Sequence, residues 1–221
     1  MTRTRQRSLI AGLCLLATSV CADWVVVQKA TAEGKTEEIL IRIKGEQTRL
    51  DSGKEMSIIA GAADGQMTML MHQQKMMMRL NADTLKGVMA LAGAAFGADQ
   101  AVAKPVATGM KEKVGAYDCE VFTWTGKMGT GKFWVASDFP GYQALNTAQD
   151  KLMKAMGNPA SAFAPQASDF PGMVIKSEMQ VMGKSSVSEL VSAKEEAVDA
   201  AIFTLPTDYQ EMKMPGLPGG K

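Results

Sequence analysis

Residues 67–80 read MTMLMHQQKMMMRL, and the way this stretch folds back on itself decides the architecture. Six of the chain's 18 methionines lie between residues 67 and 78, with the only histidine, His72, among them. A turn at Gln73-Gln74 sets Met71 against Met76, Leu70 against Met77, Met69 against Met78 and Met67 against Leu80. Side chains alternate across a strand, so Met67, Met69, Met71, Met76, Met78 and Leu80 then share one face. Thr68, Leu70, His72, Lys75, Met77 and Arg79 share the other. A loop one residue longer or shorter would scramble the two sets.

Three readings of the methionine face follow. It is ordinary core filled by a pliable side chain, or one wall of an apolar groove, where unbranched methionine adapts to varied ligands. Alternatively Met67, Met69 and Met71 hold copper(I), a metal that soft thioethers select. His72 falls on the opposite face from these sulfurs, and the chain has no second histidine to assist.

Outward from this hairpin, period-two alternation continues in both directions. Towards the N-terminus, strands are expected at 24–29 (WVVVQK), 38–44, 46–51 and 56–60, with Ile39, Ile41 and Ile43 on one face. Towards the C-terminus the pattern breaks over 81–100. There Leu85, Val88, Met89, Ala92 and Phe96 recur at helical spacing, and Asn81 or Asp83 can cap the start. Strands resume at 111–114, 117–125 and 132–136. Asp138-Phe139-Pro140 opens a second helix, which runs to about 156 and is stopped by Gly157-Asn158-Pro159. Its expected buried face is Tyr142, Leu145, Leu152, Met153 and Met156. Two long strands, 173–182 and 187–194, close the fold. Together these elements make an α+β domain built on an antiparallel meander.

The ends of the chain belong to export and to solvent. Arg3, Arg5 and Arg7, the apolar run at 9–16 and the small residues at 17–22 read as a signal peptide over 1–22, cut before Asp23. The apolar run is too short to span a bilayer, and no later segment reaches that length. A single domain is expected over 23–214, followed by a disordered tail over 215–221 rich in proline and glycine. Loss of the three arginines leaves 21 basic against 23 acidic side chains, a net charge of about −2. This balance argues against nucleic acid as a partner. Only Cys119 remains after cleavage, so no internal disulfide forms; the thiol is expected to be buried and inert, with an intermolecular disulfide as the alternative.

Motifs for catalysis are missing. Gly126-Lys127-Met128-Gly129-Thr130-Gly131-Lys132 imitates the spacing of a phosphate-binding loop. However, Phe133 stands where a magnesium-binding hydroxyl is needed, and a strand follows instead of a helix. A hairpin turn explains the glycines. Glu195, Glu196 and Asp199 read as a solvated edge. His72 has no evident catalytic partner and reads as a surface or hydrogen-bonded residue beside Lys75. The chain is therefore expected to be neither an enzyme nor the holder of a cofactor.

Residues 132–142, KFWVASDFPGY, together with Gly115-Ala116-Tyr117-Asp118-Cys119, Phe170-Pro171-Gly172-Met173 and Leu205-Pro206-Thr207-Asp208-Tyr209, resemble a family of exported bacterial domains of unknown function. That family is similar in layout to the periplasmic lipoprotein carriers LolA and LolB. The resemblance covers most of 23–214. It implies a strongly curved antiparallel sheet, an open half-barrel, with two main helices packed on its concave side. In the carriers that side takes lipid acyl chains. The chain departs from the pattern in the alanine-rich insertion 85–103 and in its methionine content. The reading that results is an exported protein, periplasmic or extracellular, that binds a lipid, a lipoprotein segment or another apolar ligand. Its contact residues would be Met67, Met69, Met71, Met76, Met78 and Leu80, overlaid by Leu85, Met89 and Phe96. A copper(I) carrier and a structural module of the envelope are the alternatives.

Overall fold

The computed structural model describes residues 23–61, 66–81, 87, 103–126, 129–155 and 164–212. The expected signal peptide and tail lie outside the described residues, as does nearly all of the expected first helix, including Leu85, Met89 and Phe96. Among the described residues the secondary structure is dominated by strands: β1 (Trp24–Ala32), β2 (Lys35–Lys44), β3 (Gln47–Ser52), β4 (Met56–Gly61), β5 (Met67–Met71) and β6 (Met76–Leu80) in the first half. The second half supplies β7 (Val106–Val114), β8 (Tyr117–Gly126), β9 (Gly129–Ala136), one α-helix, α1 (Tyr142–Ala155), and the long strands β10 (Met173–Val181) and β11 (Lys184–Glu195). A 3₁₀ turn at Ala200–Phe203 and a two-residue strand, β12 (Gln210–Glu211), end the described chain.

All twelve strands belong to one curved, open sheet in the order β12-β6-β5-β4-β3-β2-β1-β11-β10-β9-β8-β7. Each half is a meander of sequence neighbours, and the two halves are joined where β1 pairs antiparallel with β11. Two tight turns flank that seam. Glu33-Gly34 and Met182-Gly183 both have positive φ at their two central positions, the geometry whose twist matches that of the flanking strands. Pairing from β1 through β6 is regular. Irregularities at Val27/Gln28, Val174/Lys176 and Ala107/Lys111 interrupt the seam and the second half. Such bulges bend a strand and increase its twist.

Both faces of the sheet are covered where it is best packed. On one face, Leu145, Tyr142 and Ala148 of α1 pack against Trp24, Val26, Ile43, Val121, Trp134 and Ile175. Asn146 of the helix donates to the carbonyls of Ala167 and Gly172, tying α1 to the lead-in of β10. On the opposite face of β4 and β5, Ile59 and Leu70 are covered by Val198, Phe203, Ile202, Leu205 and Tyr209. A separate aromatic cluster joins Phe122, Trp124, Phe133 and Phe170.

The helix begins later than Asp138-Phe139-Pro140 suggests. Gly141 has a φ of +75°, and a Cβ built there would stand 2.6 Å from the Trp24 ring. A left-handed residue cannot sit inside a right-handed helix, so helical geometry starts only after it. The expectation of two main helices is met by one among the described residues.

Candidate functional site

The hairpin of β5 and β6 has the register that its sequence implies. Met67 opposes Leu80, Met69 opposes Met78 and Met71 opposes Met76, with the turn at residues 72–75. Regular pairing carries the same face sideways, because Met71 also opposes Met56, Met69 opposes Ile58, and Met67 opposes Ala60. The face continues through Leu50 and Ile41 to Val26 and so is the face on which α1 packs. From β3 to β6 it bears no charged side chain. Met56, Met67, Met69, Met71, Met76 and Met78 are all half-buried, whereas Leu80 is buried.

Burial across the hairpin is the reverse of simple expectation. Leu70 and Thr68, on the side away from the methionines, are 1% and 6% exposed. They are sealed because residues 198–209 return across that face, a contact that alternation alone does not disclose.

That opposite face carries a chain of polar groups. Arg42 and Arg49 both reach Asp51, at 2.5 and 2.8 Å. Ser57, 1% exposed, donates its hydroxyl hydrogen to Asp51, and Arg49 Nη2 donates to the Ser57 oxygen. His72 Nε2 lies 2.7 Å from the same oxygen. Because the only hydroxyl hydrogen of Ser57 is spent on Asp51, His72 must donate from Nε2. Tyr209 Oη lies 2.6 Å from Nδ1 and, with the ring neutral, donates to it. The chain runs Tyr209 to His72 to Ser57 to Asp51, and a further Arg49 bond to the Ile202 carbonyl fastens the returning segment. Burial raises the cost of charging Asp51, but hydrogen bonds from Ser57 and Arg49 and the charges of both arginines outweigh it, holding the carboxyl below its ordinary range.

Tyr209 also places the end of the described chain. Gln210 and Met212 donate backbone hydrogen bonds to Lys75 and Met77, so β12 lies parallel beside β6. A cleft of about 600 Å³ opens on this side, lined by the charged Arg42, Arg49, Asp51 and Lys54 and by His72, together with Leu40 and Ile202. His72 is thus hydrogen-bonded, as one of its sequence readings held, but to Ser57 and Tyr209. Extending the register across β3 and β4 would have placed Asp51 opposite Ser57. Tyr209 stands in the sequence only as the last residue of the Leu205–Tyr209 motif, with nothing to signal its bond to His72.

The remaining motifs have structural explanations. Gly126 pairs with Gly129 in a hairpin, and Gly129–Ala136 is a strand, not a helix. A Cβ at Gly129 would stand 1.9 Å from the Gln180 carbonyl oxygen, so close backbone approach explains that glycine. Lys132 lies 4.4 Å from the centre of the Trp134 ring and 3.2 Å from Glu112. Cys119 is 2% exposed, and burial pushes its thiol up, which suppresses the reactive thiolate. Asp199 caps the 3₁₀ turn by accepting from the Ala201 amide.

Sequence comparison sets this geometry in a family. The family model for the domain of unknown function DUF4412 matches residues 25–209. The chain belongs to the DUF4412 family. The match spans both meanders, α1 and the returning segment up to Tyr209. No curated protein matches this DUF4412 chain in sequence. Among solved structures, PNGF-II is similar at 15% identity and a TM-score of 0.42 over 86% of the chain, which spans 31% of that protein. The lipoprotein LppX of Mycobacterium tuberculosis is similar at 10% identity and a TM-score of 0.40, covering 80% of this chain and 88% of that one. A putative outer membrane lipoprotein-sorting protein domain from Vibrio parahaemolyticus is similar at 11% identity and a TM-score of 0.38, covering 84% and 90%.

Proposed function

We propose that this DUF4412 domain is an exported, non-catalytic binding protein whose methionine-bearing face takes an extended apolar ligand, such as a lipid acyl chain or the lipidated segment of a lipoprotein. The observation that carries this reading is the set of Met56, Met67, Met69, Met71, Met76 and Met78, aligned on one uncharged face of an open sheet yet only half-buried. Thioether side chains conform to guests of varied shape, which suits a carrier more than a catalyst.

Magnitudes restrict the guest. Covering about 300 Å² of apolar surface contributes roughly 7 kcal/mol. Association costs roughly 4–15 kcal/mol in lost freedom. The surplus grows with the apolar area that a guest covers, which favours a long chain lying along the face over a small molecule. The opposite face favours structure over chemistry. Ser57 is buried, with its proton committed to Asp51, and His72 is spent on holding Tyr209.

Native mass spectrometry of protein purified from an exporting host tests the proposal. An added apolar mass, released by detergent, is expected. Protein that carries none and takes up none from added phospholipid or fatty acid would overturn it.

A further inference from the structure

The register brings together methionines that lie far apart in sequence. Met71 on β5 opposes Met56 on β4 to one side and Met76 on β6 to the other, so three thioethers stand in one row across three adjacent strands. Neighbouring strands lie about 4.8 Å apart, whereas alternate residues along one strand lie about 6.6 Å apart. A transverse row therefore anchors its three methionines at closer backbone positions than Met67, Met69 and Met71 have along β5. Each side chain of the row is half-buried, so none of the three is sealed from solvent. Met69 and Met78 form the next row on the same face.

The chemistry of the row selects its guest. Thioethers are neutral, soft donors, and the face from β3 to β6 offers no carboxylate or imidazole. Among the described residues no three histidine, cysteine, aspartate or glutamate side chains form a metal cluster elsewhere. Such a site rejects hard divalent ions, which require oxygen ligands, and suits a soft monovalent one. His72, the borderline ligand nearest in sequence, is held on the other face by Ser57 and Tyr209.

We propose that Met56, Met71 and Met76 form a trigonal thioether site for copper(I), with silver(I) as its redox-inert stand-in. The site occupies the turn end of the methionine face and does not depend on acyl binding along the rest of it.

The test is a silver(I) titration of the full chain followed by ¹³C-methyl methionine NMR, repeated anaerobically with copper(I). One equivalent should shift the methyl signals of Met56, Met71 and Met76 first. Met71→Leu should weaken binding at least ten-fold. The triple variant Met56→Leu/Met71→Leu/Met76→Leu should abolish it, while Met179→Leu, on β10, should change it less than two-fold. Leucine conserves volume and apolar character, so the triple variant should keep the wild-type fold, read by circular dichroism and thermal melting, while fluorescent fatty-acid binding is measured separately on the metal-free wild type. Failure of the metal site and failure of the acyl site are thereby read separately. Unaltered silver binding in the triple variant, no binding by the wild type, or a loss on Met67→Leu without one on Met56→Leu would each overturn the assignment.

Discussion

Ser57 is the residue on which the face opposite the methionines is most tightly tied. Its oxygen accepts from Arg49 and His72, and its hydrogen goes to Asp51. Removing it leaves three half-buried partners each short of one hydrogen bond, so Ser57→Ala should cost about 1–3 kcal/mol, read by chemical denaturation. Leu70, 1% exposed in the apolar layer beside it, should cost about 3 kcal/mol as Leu70→Ala. Asp51 adds a pH signature. Its carboxyl is held below the ordinary range in the folded chain, so the folded state binds its proton less readily than the unfolded one. The resulting stability is present above the unfolded value of about 3.9 and is lost as pH falls through the lower folded value. Thermal melts between pH 5 and 2 should therefore fall more steeply for the wild type than for Asp51→Asn. Equal slopes would show that another carboxylate governs the acid limb.

At the scale of elements, the decisive features are pairings that alternation can and cannot reveal. The β5–β6 register was readable because a two-residue slip keeps the faces and a one-residue slip would expose the whole set. The late start of α1 was not readable, because it depends on the Trp24 ring packing over Gly141, a contact between residues far apart in the chain. Nor was the burial of Thr68 and Leu70, which rests on residues 198–209 crossing back over β4 and β5. The same returning segment carries Tyr209, so the polar chain could be read from sequence only as far as Asp51 and Ser57. Gly129 is a sharper case: it looks like part of a nucleotide loop and is required by the Gln180 carbonyl. Gly129→Ala should cost about 1–3 kcal/mol through displacement of β9 from β10, visible as faster amide exchange in both strands. Exchange no faster than in the wild type would mean that the added methyl is accommodated without displacing β9.

For the molecule as a whole, the seam between β1 and β11 joins two meanders into one sheet, with α1 on one face and the returning segment on the other. This arrangement gives the two faces different roles. The face opposite the methionines is locked by Asp51, Ser57, His72 and Tyr209 and closed by a short parallel strand. Between β3 and β6 the methionine face is uncharged and its methionines are half-buried, the features on which the proposed guest binding rests. Titration of a fluorescent long-chain fatty acid tests that division most directly, using the wild type, Met69→Lys/Met78→Lys and Arg42→Ala. Saturable binding is expected in the wild type, at least ten-fold weaker binding in the methionine double variant, and unchanged affinity in Arg42→Ala, whose side chain lines the polar cleft on the far side. Binding that survives the double variant intact, or no saturable binding in the wild type, would contradict the account.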